Sequence, residues 1–184
     1  MTGEALTAEI EQAGRRAFPL DSLEAARFDS VVRRNSVRLV RMLDFITLDR
    51  ETAADAAQEA FVQLYLHWDR VGACAEPEAW LYRVAVNRCK DHHRRLARAT
   101  RLFSRLVALS PAGEPATDGW EPARDFVDAL QTLPLKQRTA AALFYEADMS
   151  IPQIAKTMAI SEGAVNSHLN RARSALRKLL EADR

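Results

Sequence analysis

A chain of 184 residues lies between one and two ordinary domains, and its 48% apolar content is enough for packed cores, which excludes a disordered tail. Charges interrupt every apolar run well short of the roughly 18–20 residues a membrane span needs, and residues 1–11 lack a signal-peptide core, so membrane insertion is excluded and a cytoplasmic address expected. The formal net charge of +1 conceals one acidic segment and two basic ones, a pattern that suits a protein touching a basic protein partner and an anionic polymer separately.

Apolar residues recur at spacings of three and four along almost the whole chain and nowhere alternate convincingly with period two, so the expected fold class is all-α. Residues 1–24 read as a helix-prone extension with no assignable role. Residues 44–59 hold Asp44, Asp49, Glu51, Asp55 and Glu59 against Arg50 alone. Phe61, Leu64, Tyr65 and Trp68 then follow at i, i+3, i+4 and i+7, which gives one helix an aromatic inner face. Asp55, Gln58, Glu59 and Val62 fall on the opposite side.

The next helix is expected to begin near Pro77, whose ring suits a first turn. On it Trp80, Arg83, Asn87, Lys90 and Arg94 share one side, an aromatic residue heading a polar and basic stripe suited to stacking a base while cations follow phosphates. Trp80 equally fits the core beside Leu81, Val84 and Ala85; the basic stripe stands in either case. Residues 83–105 carry eight bases against Asp91 alone.

Pro111, Pro115, Pro122, Gly113 and Gly119 crowd residues 107–122, which therefore read as a linker between two small helical domains. The expected boundaries are 25–105 and 124–184, with 106–123 between. Beyond the linker, Pro134 opens a supporting helix that buries Leu135, Ala142 and Leu143 and places Lys136 and Arg138 to touch a nucleic-acid backbone.

Residues 150–180 carry the strongest local signal. Ser150 and Gln153 form a capping box, and Ile154, Ala155 and Met158 give a short helix its buried side. After a four-residue break Ser161 caps a second helix, buried through Val165, Leu169, Ala172 and Leu176. Glu162, Asn166, Asn170, Arg173 and Arg177 face outward. Such a pair matches a helix-turn-helix that reads the major groove, where Asn and Ser suit base edges and arginines suit phosphates. A helical hairpin that merely packs has the same periodicity.

Three motifs in this order, DAAQEAFVQLYLHWDRV from Asp55, WLYRVAVNRCKDHHRR from Trp80, and LPLKQR followed by SIPQIAKTMAISEGAVNSHLNRAR, resemble the bacterial sigma factors. The similarity is to the extracytoplasmic-function (ECF) group, which keeps two of the family's domains, and it covers roughly residues 28–180. The resemblance implies that Asp55, Gln58, Glu59 and Phe61 belong to the stretch that docks on the clamp helices of the largest subunit of core RNA polymerase, with Val62 on the exposed side and Phe61 packed inward. It implies that the stretch from Asp69 to Arg94, with Trp80, Arg83, Asn87, Lys90 and Arg94, captures unpaired bases of the minus-ten promoter element, at a flipping cost of a few kcal/mol per base. The helix-turn-helix would read the minus-thirty-five element of promoter DNA through Arg138, Ser161, Glu162, Asn166, Ser167, Asn170, Arg171 and Arg173. The implied partners extend to the flap of the second-largest subunit and an anti-sigma factor, and the free chain is expected to be a monomer. Neither catalytic residues nor a cofactor or metal is implied.

Departures from the family pattern affect specificity. Ala159 stands where relatives often have a turn glycine, and Ala164, Asn166 and His168 stand where relatives tend to carry Thr, Lys and Arg. A stand-alone helix-turn-helix regulator is the rival reading, but it leaves the acidic face and the Trp80 helix without a role. A carboxylate-bridged metal enzyme using Glu59, Asp91, His92 and His93 lacks the Glu-x-x-His pairs such sites need. Cys74 and Cys89 lie too far apart for a CxxC pair and read as plain buried or half-buried thiols.

Overall fold

Asp21 opens the first helix, α1 (Ser22–Thr47), because its extended backbone aims a carboxylate at two orphan amides, Leu23 N at 2.9 Å and Glu24 N at 2.8 Å. The computed structural model describes residues 21–106 and 130–182; the sequence-based expectations for residues 1–20 and for the linker residues 107–129 lie outside it. Helix α1 ends where Leu48 turns left-handed, with φ 57°, and gives its amide to the Asp44 carbonyl at 2.8 Å. Asp49 then caps α2 (Arg50–Leu66), accepting from Glu51 N at 3.2 Å and from the Thr52 hydroxyl. A single turn, α3 (Trp68–Val71), and a short loop lead into α4 (Pro77–Leu106), which starts on the proline as its sequence predicts.

Helix α1 lies along α2 and α4, and α2 packs on α4. Leu39, Met42, Leu43 and Ile46 of α1, Ala53, Ala57, Ala60 and Leu64 of α2, and Leu81, Ala85 and Val86 of α4 form the core, each no more than 2% exposed. The small residues on α2 let the helix axes approach closely. The expected aromatic face is realised only in part. Leu64 and Trp68 are buried and Phe61 half-buried, but Tyr65 is 43% exposed. Trp68 belongs to α3, because the break at His67 takes it out of the α2 register. Phe28 reaches over from α1 instead, its ring 5.6 Å from Tyr65 and 5.2 Å from Trp68 in edge-to-face contacts.

Among the described residues the second domain carries α5 (Leu135–Tyr145), α6 (Ile151–Met158) and α7 (Glu162–Ala182). The Ser150 amide and hydroxyl both donate to Gln153 Oε1 at 2.9 Å, so the capping box forms where the sequence places it. Ser161 restarts the chain by accepting from Ala164 N at 3.2 Å. Leu143, Ile154, Val165 and Leu169 close the interior. Between α6 and α7, Ala159 sits in the left-handed region at φ 56° and ψ 50°. Ala159→Gly is expected to raise the unfolding free energy by about 0.5–1 kcal/mol, because the left-handed penalty of an L-residue exceeds the extra chain entropy glycine loses on folding. Equilibrium urea denaturation checks this; an unchanged or lowered midpoint would show the turn to be unstrained.

Among the described residues every regular element is a helix, and two helical domains are present as expected. Their relation is closer than a linker alone implies. Helix α5 packs on α1 and α6 on α4, and the buried apolar cluster runs continuously through both domains. Polar contacts lace the same seam: Arg38 of α1 pairs with Asp148 at 2.9 Å, and Arg41 with Glu146 at 3.2 Å. Arg38 and Asp148 also face the buried Tyr82 phenol of α4, whose pKa is pushed up to about 12, chiefly by burial.

Candidate polymerase and DNA surfaces

Helix α2 buries Ala56, Ala57, Ala60, Gln63 and Leu64, which turns Asp55, Gln58 and Val62 outward as an exposed acidic and polar stripe. Glu59 is half-buried at its edge, held by Arg88 of α4 at 3.0 Å. That pair withdraws Arg88 from the basic side of α4 and leaves Asp55 as the outermost carboxylate of the stripe.

The loop before Pro77 is tied down at its root. Gly72 passes so close to Trp68 that a Cβ there would stand 2.7 Å from the Trp68 carbonyl oxygen and 2.8 Å from its indole, and the Gly72 carbonyl accepts from Arg27 at 2.8 Å. On α4, Arg83, Asn87 and Arg94 are exposed, and Lys90 is half-buried. Trp80 sits between its two sequence readings: it packs against the edge of the core while meeting His67 edge-on at 5.8 Å. The Lys90 ammonium has its pKa lowered by burial first, then by Arg94 and by Lys136 of α5, so the second domain brings one of its bases alongside the α4 stripe.

Ser161, Glu162, Asn166, Ser167, Asn170, Arg171 and Arg173 are all exposed at or along α7. The Ser167 hydroxyl donates to the Gly163 carbonyl at 3.0 Å within the helix. His168 adds little charge to this surface: its Nδ1 is buried without a partner, and burial, then Lys136 and Arg171, lower its pKa. Arg173 Nε donates to the Tyr145 hydroxyl at 2.7 Å.

Arg138 departs from its expected place. It is 8% exposed and turned inward, donating from Nε to the Ile46 carbonyl at 2.9 Å and from Nη1 to the Leu130 carbonyl at 3.2 Å. Ile46 lies in the last turn of α1, where carbonyls have no helical donor, and the guanidinium fork supplies one. In this arrangement Arg138 joins the domains and is out of reach of a DNA backbone.

Beside Arg138 the seam opens into a cleft of about 80 Å³ lined by Thr47, Asp49, Cys89, His92, His93 and Leu135, among others. Among the described residues no group of three or more His, Cys, Asp or Glu side chains could hold a metal ion. Two members of the metal-enzyme reading face bases instead, Glu59 with Arg88 and Asp91 with Arg94. Cys89 is buried as expected and burial pushes its thiol up to about 12, whereas Cys74 is exposed because it sits in the loop before Pro77. Native alkylation at pH 8 should therefore label Cys74 alone, with Cys89 reacting only in denaturant, as read by peptide mass spectrometry. Equal labelling of both in the folded protein would mean that the seam opens freely.

Comparison with known proteins identifies the two domains. Residues 31–99 match Sigma-70 region 2, and residues 123–176 match Sigma-70 region 4. The ECF RNA polymerase sigma factor SigM of Mycobacterium tuberculosis is 32% identical over 154 residues, covering 83% of this chain and 76% of the relative. The chain belongs to the ECF sigma factors. SigW of Bacillus subtilis, another ECF RNA polymerase sigma factor, is 30% identical over 140 residues, 70% of this chain and 75% of that one. Among solved structures, CnrH in complex with the cytosolic domain of CnrY matches with a TM-score of 0.60 and 26% identity over 85% of this sigma factor and 89% of that chain. The sigma factor RpoE in complex with the anti-sigma factor NepR from Bartonella quintana shares the fold, with a TM-score of 0.68 and 24% identity over 85% of this chain and 98% of that one. A sigma factor is a transcription initiation factor, and none of these matches is to a catalytic family. No described helix of this sigma factor is long and apolar enough to cross a membrane.

Sequence reasoning missed the seam residues. Arg34, Arg38 and Arg41 recur at i, i+4 and i+7 on α1, a spacing that signals a shared face; Arg38 and Arg41 meet carboxylates across the seam, and Arg34 meets Glu78 of α4 within the first domain. Nothing in the sequence marks Tyr145 as the partner of Arg173.

Proposed function

We propose that this sigma factor docks on the clamp helices of the polymerase's largest subunit through Asp55, Gln58, Glu59 and Val62. The α4 stripe and the loop rooted at Gly72 then receive the unpaired minus-ten strand, and α7 reads the minus-thirty-five duplex. The observation that carries this assignment is separation: the acidic stripe is exposed on α2, while α4 and α7 present stripes of exposed bases, and Arg33, Arg34, Arg38 and Arg41 of α1, also exposed, each face a carboxylate. An acidic stripe repels nucleic acid and suits a basic protein surface, whereas the Arg and Lys stripes suit phosphates. The second domain reaches the flap of the second-largest subunit, and the factor acts in the cytoplasm as a monomer until polymerase binds it. Control by an anti-sigma factor is the reading that the RpoE and NepR pair, a similar fold held by such a partner, supports.

The deciding experiment is promoter-dependent transcription with purified core RNA polymerase and a fragmented library of the source genome, followed by sequencing of transcript starts. Discrete starts with two spaced upstream motifs are expected, lost when Asp55→Ala and Gln58→Ala are combined. No specific initiation and no binding to core polymerase would overturn the assignment in favour of a stand-alone regulator.

A further inference from the structure

Arg173 has a different kind of partner from the arginines of α1 and α4 that form ion pairs. Arg34, Arg38, Arg41, Arg88 and Arg94 each face a carboxylate. Arg173 faces aromatic rings: its guanidinium carbon lies 5.4 Å from the centroid of Phe144 and 5.8 Å from that of Tyr145, and Nε donates to the Tyr145 hydroxyl at 2.7 Å. The two rings brace each other edge-to-face, 5.0 Å apart. A carboxylate partner would neutralise the cation, whereas an aromatic seat orients it and leaves its charge for another anion. With Nε occupied by Tyr145, the guanidinium's terminal nitrogens remain as a forked donor. The Tyr145 hydroxyl accepts from Arg173 and keeps its own proton to donate. Both residues are exposed, Tyr145 by 51%.

We propose that Tyr145, at the end of α5 and outside the recognition helix, is a positioning residue that pre-sets Arg173 on a DNA phosphate, with Phe144 as the floor of the seat. This rests on the reading of α7 as the duplex-binding helix. A fixed guanidinium loses less side-chain entropy on meeting a phosphate than a free one does, so the seat strengthens binding without adding charge.

The test measures affinity of the assembled polymerase holoenzyme for a duplex carrying the upstream element found by transcript mapping, across a salt series. Arg173→Ala should weaken binding about tenfold and flatten the log–log salt slope by about one, the signature of one lost phosphate contact. Tyr145→Phe, which keeps the ring and removes only the hydroxyl, should weaken binding about threefold to tenfold. In the Arg173→Ala background Tyr145→Phe should have no further effect, because its contribution passes through Arg173. If Arg173→Ala changes neither affinity nor slope, the phosphate contact itself is wrong and the positioning role falls with it. If Arg173→Ala weakens binding while Tyr145→Phe does not, or if Tyr145→Phe weakens both backgrounds equally, the duplex reading stands and the positioning role is overturned.

Discussion

Leu43→Ala is expected to lower the unfolding free energy by about 3–4 kcal/mol, the cost of a lost buried side chain plus the void it leaves. Leu43 is fully buried on the face of α1 that also carries Leu39, Met42 and Ile46. Helix α1 contacts α2 and α4 on its own side of the seam and α5 across it, so the void cannot be closed by moving a single neighbour. The same connectivity predicts the form of the transition. One buried cluster runs from Val31 through to Leu169, and the second domain loses support together with the first. Tryptophan fluorescence of a Trp120→Phe variant, which reads only Trp68 and Trp80 of the first domain, and far-ultraviolet circular dichroism, which reads the helices of both, should give coincident denaturation curves that shift together. Two separated transitions would show that the seam contributes little to holding the domains together.

Arg138→Ala should cost about 2–3 kcal/mol, and the loss should appear first at the seam. The guanidinium donates to Ile46 and Leu130 carbonyls that lie 92 and 8 residues away in sequence. Hydrogen bonds from a charged donor contribute about 1.5–3 kcal/mol each, and their loss is partly offset because the cation no longer has to be buried. Arg138 is 8% exposed, and that desolvation lowers its pKa. Arg138→Lys should not rescue stability, because a single ammonium cannot reproduce a planar fork aimed at two carbonyls. Amide exchange measured by mass spectrometry should quicken at the end of α1 and the start of α5 in both variants. A stability change within about 0.5 kcal/mol of zero, the range of ordinary surface substitutions, would show the guanidinium to be solvated.

Much of the molecule was legible from local signals. Capping chemistry at Ser150 and Ser161, Pro77 at a helix start, and the three-and-four spacing of Ile154, Ala155 and Met158 on one helix and of Val165, Leu169 and Ala172 on the next are all satisfied within a few residues of themselves, so reading them needs no knowledge of the rest of the chain. The exposure of Asp55, Gln58 and Val62 was legible for the same reason, since one helix's periodicity decides which side its own residues take. Errors arose where a residue's environment comes from far along the chain. Tyr65 lies outside because α2 ends before a fourth aromatic turn and Phe28 covers the edge, which spacing within residues 61–68 cannot reveal.

By itself, then, the sequence determined the helical class, the division around the Pro- and Gly-rich stretch, the helix-turn-helix and the segregation of charge, because each follows from contacts within one or two helical turns. The tertiary structure alone decided that Arg138 holds the seam, that Arg38 and Arg41 meet Asp148 and Glu146, and that Tyr145 seats Arg173. A guanidinium looks the same in sequence whether its anion is a phosphate, a carboxylate or a pair of helix-end carbonyls. Which of these it meets depends on the geometry of elements brought together across tens of residues, and that geometry exists only once the apolar faces have packed.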